Sequence, residues 1–410
     1  MRSFWLLATA ALCACRANAD PLTYAAALKL SERSAPSLEA RADDLKAARF
    51  ASVAAGRLPD PKLALGVEGF PISGPNAGHP ERDDFSDVRI GVIQDVPNGA
   101  KRRAERLRAA ADIGAAEAGQ IAEGRTVRIN AALAWIDLYF AKRRLAALED
   151  IGIGIGKLHA TAPARLASGA QRPAVAIEPE RLKAVLDDRR AELVAVVAKA
   201  RAELVRWTGD ATADVAGDGP NYPLDPVELR AGLDRLPSLR VIEAQSRQAD
   251  ASTSLAKAER HPDWSWEVGY QHRDNRFGDM VMAQVTVGLP IFGATRQDPV
   301  IAARIQSASR VRLEREAARR ALRAALEADL ADHAMHHERL MRANTTLIPL
   351  ASRRAALELA SYAAGTASLS DALDAEVALA EARVDGLDRE AAVVRDGARI
   401  ALTYGSEPND

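Results

Sequence analysis

Two stretches of this chain alternate apolar and polar residues at every second position and then break abruptly into long helical sequence. From Ser86 to Val96, Val88, Ile90 and Val92 share one face while Arg89, Gly91 and Asp95 lie on the other, the period-two signature of a strand. The strand stops at Pro97-Asn98-Gly99, and Ala100-Lys101-Arg102-Arg103 opens a long segment rich in Ala, Leu, Arg and Glu. Further on the event recurs. Val281, Ala283, Val285, Val287 and Leu289 alternate with Met282, Gln284, Thr286 and Gly288, Pro290-Ile291-Phe292-Gly293 breaks the strand, and Ala294-Thr295-Arg296 leads into a second helical run. A strand-to-helix junction used twice points to a duplicated architecture. Pro97, Gly99, Pro290 and Gly293 are its candidate joints.

The segments before each junction also correspond. Leu22 to Leu30 reads as a short amphipathic helix and Pro36-Ser37-Leu38-Glu39 opens another; in the second copy Leu229, Leu233 and Leu236 precede Pro237-Ser238-Leu239. A strand follows each time, with Leu63, Leu65 and Val67 alternating in the first copy and Trp264, Trp266, Val268 and Tyr270 in the second. Polar loops, Pro71 to Asp84 and Arg273 to Asp279, join each pair of strands into a hairpin. Strands of this length, apolar on one side and small or polar on the other, suit a tilted barrel wall in a bilayer. Four strands cannot close such a barrel, and an open edge in lipid would strand backbone groups at several kcal/mol each, so several chains would have to share it. A soluble four-stranded sheet is the competing reading.

Ala100 to about His159 contains no proline, and at about 1.5 Å per residue a helix there could extend on the order of 90 Å. The segment from about Val300 to Leu347 is similar, and Leu326, Leu330, His333, His337 and Leu340 follow the spacing of a coiled-coil seam. Each long segment turns back at a glycine, Gly169 and Gly365, and the return arms end at Gly209 and Gly405, both pairs separated by 196 positions. The expected organisation is a leader at 1–19, a first repeat at 20–209 with its strand hairpin at 62–96 and a helical tip near 169, a connecting segment at 210–228, a second repeat at 229–405 with its hairpin at 264–289 and a tip near 365, and a tail at 406–410. The fold class is mainly α with a small β part: duplicated helical hairpins plus four strands.

Composition narrows the function. The 48% hydrophobic content with only 4% aromatics is mostly Ala, Leu and Val, which suits long helices packed through small side chains, and a net charge of -1 argues against a phosphate-steered nucleic-acid binder. Arg2, the apolar run Phe4 to Cys15, and Ala17-Asn18-Ala19 read as a secretory leader cleaved after Ala19. That leader carries both cysteines, so no disulfide framework is expected in the mature chain. The alternative is a lipoprotein signal, Leu12-Cys13-Ala14-Cys15, acylated on Cys15. No later segment reads as a transmembrane helix.

The order and duplication of these motifs resemble the outer membrane efflux protein family, the TolC-like trimeric exit ducts of Gram-negative bacteria. The residues that carry the resemblance are Leu22 to Ala27 with Pro36, Gln94 to Arg102, the echo Gly288 to Gly293, and the turn Tyr362 to Ala375. It implies a homotrimer whose chains each give four strands to a twelve-stranded outer-membrane barrel, set in outer-membrane lipid, with helices forming a periplasmic tunnel. A periplasmic adaptor and an inner-membrane pump, of RND type, are the implied partners; no cofactor is implied. The compact length is more like the heavy-metal (CzcC/CusC-like) branch than the multidrug branch, so heavy-metal cations are the expected cargo and organic solutes the alternative. By the same resemblance Gly169, Ala170, Gly365 and Thr366 form adaptor-contact tips, Asp371 and Asp374 are constriction acids, and Tyr362 braces the closed tip. The first copy departs from the pattern. Val175 stands where an acid is common and Glu178 is the next acid, so the latch of that tip is left open.

His333, His336 and His337 share a helical face at metal-ligand spacing. Two of them, His333 and His337, lie on the apolar seam, and packing is the simpler account. Arg310, Arg312, Arg315, Arg319, Arg320 and Arg323 are interleaved with acids, as expected of an ion-paired helix face. With no phosphate loop, nucleophile motif or distinctive carboxylate pair, no catalysis is expected. A soluble periplasmic coiled-coil adaptor or scaffold is the alternative from another class. It shares the leader and helical hairpins, but not the membrane-length strands.

Overall fold

The computed structural model describes residues 21–159 and 177–405. Helix α1 (Tyr24–Ser34) starts where the Thr23 hydroxyl accepts the Ala26 N–H at 3.3 Å, and α2 (Pro36–Ala54) begins on a proline, which costs nothing at a first helical turn. Strands β1 (Lys62–Glu68) and β2 (Asp87–Val96) precede α3 (Gly99–His159), a helix of 61 residues. Helices α4 (Glu178–Thr208), α5 (Pro226–Gly232) and α6 (Pro237–Ala258) follow, then β3 (Trp264–His272) and β4 (Met280–Val287). Helix α7 (Gln297–Arg342), a π-helical turn (Ala343–Leu347), α8 (Ile348–Ala363) and α9 (Leu369–Tyr404) complete the described chain. It is a mainly helical fold with one four-stranded sheet, as the hydrophobic patterning predicts.

The long second helical run continues past Leu347, near the end of its proline-free stretch, to Ala363. Pro349 brings no N–H and its ring would collide with the carbonyl four residues back, and the π-turn at Ala343–Leu347 takes up the misfit, so the helix carries on to Ala363. The expected seam is corrected too. His337 is exposed, whereas His336 turns inward and pairs with Asp396 at 2.6 Å.

Two compact units divide the chain, Met1–Ala35 with Thr126–Pro226 and Ala328–Asp410, and Pro36–Arg125 with Val227–Glu327. The first unit is centred on Trp135, Ile136, Leu138, Phe140, Leu204 and Ala398, all at most 1% exposed. The indole Nε1–H of Trp135 donates to the Leu22 carbonyl at 2.9 Å and the ring stacks on Tyr139 at 5.1 Å. Leu22 bridges Val215 in parallel, and Lys142 pairs with Asp214 at 2.7 Å. This buried aromatic knot sits mid-helix in α3, where an all-Ala/Leu surface would give no unique register.

The second unit holds the sheet, which runs antiparallel in the order β1-β2-β3-β4. Register puts Leu65, Ile90, Tyr270 and Val281 abreast on one face, and Ala64, Gly91, Gly269 and Met282 abreast on the other. Among the arginines of α7, Arg320 pairs with the interleaved Glu316 at 2.8 Å, as the sequence suggested, while Arg312 and Arg319 reach Asp250 and Asp234 outside the helix.

Candidate functional site

The sheet has one continuous apolar face with no layer over it. Leu65 is 70% exposed, Ile90 49%, Val281 76% and Val285 65%, joined by Leu63, Val88, Val92, Val268 and the rings of Trp264, Trp266 and Tyr270. Exposed apolar area on this scale marks a surface made for contact with lipid or protein. The aromatic rings lie toward the ends of the band: Trp264 and Trp266 open β3, and Phe70, Phe85 and Phe277 stand in the hairpin loops beyond its far end. The amphipathic rings of Trp and Tyr suit a membrane–water boundary. The two loops are tied together, Arg273 donating to the Asp84 carbonyl at 3.2 Å and Arg276 to the Glu81 carbonyl at 2.6 Å.

The strand-to-helix junction is held by a residue that the sequence offered only as a turn former. Asn98 Oδ1 accepts the Lys101 N–H at 2.8 Å and so caps α3. Its Nδ2 reaches the carbonyls of Ala258 and His261, both at 3.2 Å, and Asp263 Oδ1 at 2.9 Å. Asp263 also accepts the Asn98 N–H at 2.7 Å and pairs with Lys101 at 3.1 Å. Burial pushes the Asp263 carboxyl up, but the bonds from Asn98 and Lys101 together outweigh it and leave it below the usual carboxylate range. Among the candidate joints, Pro97 ends the strand, while Gly99 and Gly293 have open space where a Cβ would sit. Gly56 is the glycine that this junction requires. It lies at φ +67°, its carbonyl accepts Arg102 Nε at 2.9 Å, and a Cβ there would meet the Arg102 carbonyl oxygen at 2.3 Å.

In the first unit, α8 and α9 form a helical hairpin whose turn is closed at both ends. Gly365 lies at φ +79°, the Thr366 N–H reaches back to the Ser361 carbonyl at 2.9 Å and the Gly365 N–H to Tyr362 at 3.1 Å, a Schellman stop. Ser368 then opens α9 with a capping box: its hydroxyl accepts the Asp371 N–H, and the Asp371 carboxylate accepts the Ser368 N–H at 3.0 Å. The hydrogen bonds from the Ser368 hydroxyl and backbone hold the Asp371 carboxyl below its ordinary range. Asp371 and Asp374, one turn apart, are both exposed. Tyr362 is 6% exposed and packs with Leu182, Leu369, Ala372 and Leu373, so its ring joins α8 to the start of α4 and of α9.

Glu178 begins α4 and pairs with Arg181 at 2.8 Å. That hydrogen bond, with the charges of Glu178 and Asp374, raises the Arg181 guanidinium further. Arg181 thus pairs with one expected aperture acid, Glu178, three residues away, and feels the charge of a second, Asp374. Gly169, Ala170 and Val175 lie outside the described residues, as do Cys13 and Cys15.

His333 is half-buried, and desolvation lowers its imidazole below the ordinary value. Among the described residues no group of three or more His, Cys, Asp and Glu side chains is arranged to hold a metal ion. No described helix is long and apolar enough to cross a membrane.

The fold is that of outer-membrane channels. No protein-family model matches the chain, and no curated protein matches it in sequence. Solved structures do match in fold over nearly the whole length of both chains. The chain is similar to CusC, described as forming a transmembrane channel, with TM-score 0.78 at 15% identity over 93% of this chain and 92% of that one. It is also similar to the outer membrane protein VceC of Vibrio cholerae, with TM-score 0.73 at 19% identity over 94% and 97%, and to the open state of the Neisseria gonorrhoeae MtrE outer membrane channel, with TM-score 0.74 at 16% identity over 93% and 88%.

Proposed function

We propose that three copies of this chain close a twelve-stranded barrel in the outer membrane and continue as a helical periplasmic tunnel, forming the passive exit duct of a tripartite efflux system. The single observation that carries this reading is the uncovered sheet. Its apolar face is continuous and unlayered, and β1 and β4 are its two edges. In lipid each open edge would forfeit several kcal/mol per backbone group, and pairing β4 of one copy with β1 of the next removes the edges altogether. The fold likeness to outer-membrane channels supports the same reading.

In this account the leader at 1–19 exports the chain, and its two repeats supply matching parts of wall and tunnel. A periplasmic adaptor docks on the tips at Gly169, Ala170, Gly365 and Thr366, delivering cargo from an inner-membrane pump of RND type. Tyr362 braces the closed tip from within its apolar cluster, and Asp371, Asp374 and Glu178 place acids at the aperture, where three copies form a ring that attracts cations. Heavy-metal cations are the cargo that this ring favours. The chain performs no chemistry on what it conducts.

Outer-membrane fractions extracted in detergent should contain trimers that dissociate only on heating. Full recovery of the protein in an osmotic-shock supernatant would refute the duct. The cargo is tested separately: a deletion strain should accumulate heavy-metal ions more than organic toxicants, and the reverse would move the protein to organic-solute export.

A further inference from the structure

The polar face of the sheet carries a built charge cluster. Gly91 and Gly269 face each other across β2 and β3 and form a floor without side chains. A Cβ on Gly91 would stand 3.3 Å from Glu267 Oε1, so the floor is what lets the long side chains lie down along the sheet. Arg89 does so with Glu267 at 3.4 Å and Glu68 at 3.7 Å. On a face with no covering layer, the Arg89 and Glu267 side chains are only 27% and 13% exposed. Glu267 Oε1 is buried and receives no hydrogen bond, so charge alone holds it against the guanidinium. Burying a carboxylate oxygen without a hydrogen bond costs free energy, which here only the pairing with the guanidinium offsets.

We propose that Arg89, gripped between Glu267 and Glu68 over the Gly91–Gly269 floor, sets the charge selectivity of the barrel lumen, with small cations as the preferred passengers. The proposal rests on the duct reading, which turns this face inward. Each cluster carries one net negative charge, giving three around the lumen. Arg89 is the group that keeps this number from being six. Fields from a wall charge reach about 10 Å at 0.1 M salt and about 30 Å at 0.01 M, so the collar acts across the lumen in dilute salt and is screened in concentrated salt.

Reversal potentials of the purified trimer in planar bilayers, under a potassium chloride gradient, test this directly. Near 0.01 M salt, Arg89→Gln should raise the potassium-to-chloride preference about two- to threefold and Glu267→Gln should lower it by a similar factor, both effects vanishing near 1 M. Arg89→Lys, which keeps the charge, should restore the parent value. A second readout uses Gly66→Cys, opposite Arg89 in the register with open space for the new side chain. Its reactivity toward cationic relative to anionic thiosulfonates should rise when Arg89→Gln is added. If trimers conduct while selectivity and thiol reactivity stay unchanged in both charge variants, the collar is refuted and the duct stands. If the parent forms no channel, or the Gly66→Cys thiol in the trimer is closed to aqueous reagents, the duct reading falls and the collar with it.

Discussion

Replacing Asn98 by alanine should loosen the start of α3 more than any other single polar change at the junction. The substitution removes the cap that receives the Lys101 N–H at 2.8 Å, worth about 1 kcal/mol. It also removes two N–H donors shared among Ala258 O, His261 O and Asp263 Oδ1, at about 0.5–1.5 kcal/mol each. The losses together reach about 2–4 kcal/mol, and because neighbouring losses overlap the lower figure is the safer expectation. About 2 kcal/mol corresponds to roughly 30-fold faster exchange of the Lys101 amide if that amide exchanges by local opening. Hydrogen exchange read by mass spectrometry over residues 98–106 measures it. Asn98→Ser keeps the cap and should recover about half of the lost free energy. Exchange within threefold of the parent in Asn98→Ala would refute the reasoning, as would a serine variant no better protected than alanine.

Gly56→Ala forces a left-handed backbone on a residue with a Cβ, costing about 1–2 kcal/mol, and drives that Cβ against the Arg102 carbonyl; exchange at 54–58 and 102–106 should rise together. Trp135→Ala empties the centre of the first unit and should cost about 3–5 kcal/mol, read as a lowered thermal midpoint by circular dichroism, whereas Trp135→Phe should cost about 1–2 kcal/mol. The folded Asp263 carboxyl titrates below its unfolded value, so its stabilisation is complete above about pH 4 and is lost as pH falls through the folded pKa. Lys101 amide protection, corrected for intrinsic exchange, should therefore hold from neutrality to about pH 5 and decline below pH 4, a decline absent in Asp263→Asn.

The strands were legible because their alternation is strict: a one-residue slip would move Leu65, Ile90 and Val285 to the polar face. The long helices were legible from the runs of Ala, Leu, Arg and Glu without proline, and the second turn from Gly365. The Asn98–Asp263–Lys101 junction joins residues more than 160 positions apart, and no local periodicity encodes that pairing. The inward turn of His336 depends on the Asp396 carboxylate that α9 presents to it, and the π-turn before Pro349 on how the helix absorbs a missing donor. Arg181 becomes part of the tip only once α4 and α9 lie side by side. These are tertiary facts, and sequence spacing alone does not contain them.

The most direct test of the central claim is a single-cysteine scan along β4 of the protein in intact outer membranes, labelled with a water-soluble thiol reagent. Positions Met280, Met282, Gln284 and Thr286 should label, and Val281, Ala283, Val285 and Val287 should be protected, a period of two along an edge strand. Uniform labelling, or protection on the Met280–Thr286 face, would contradict a lipid-facing wall built from these strands.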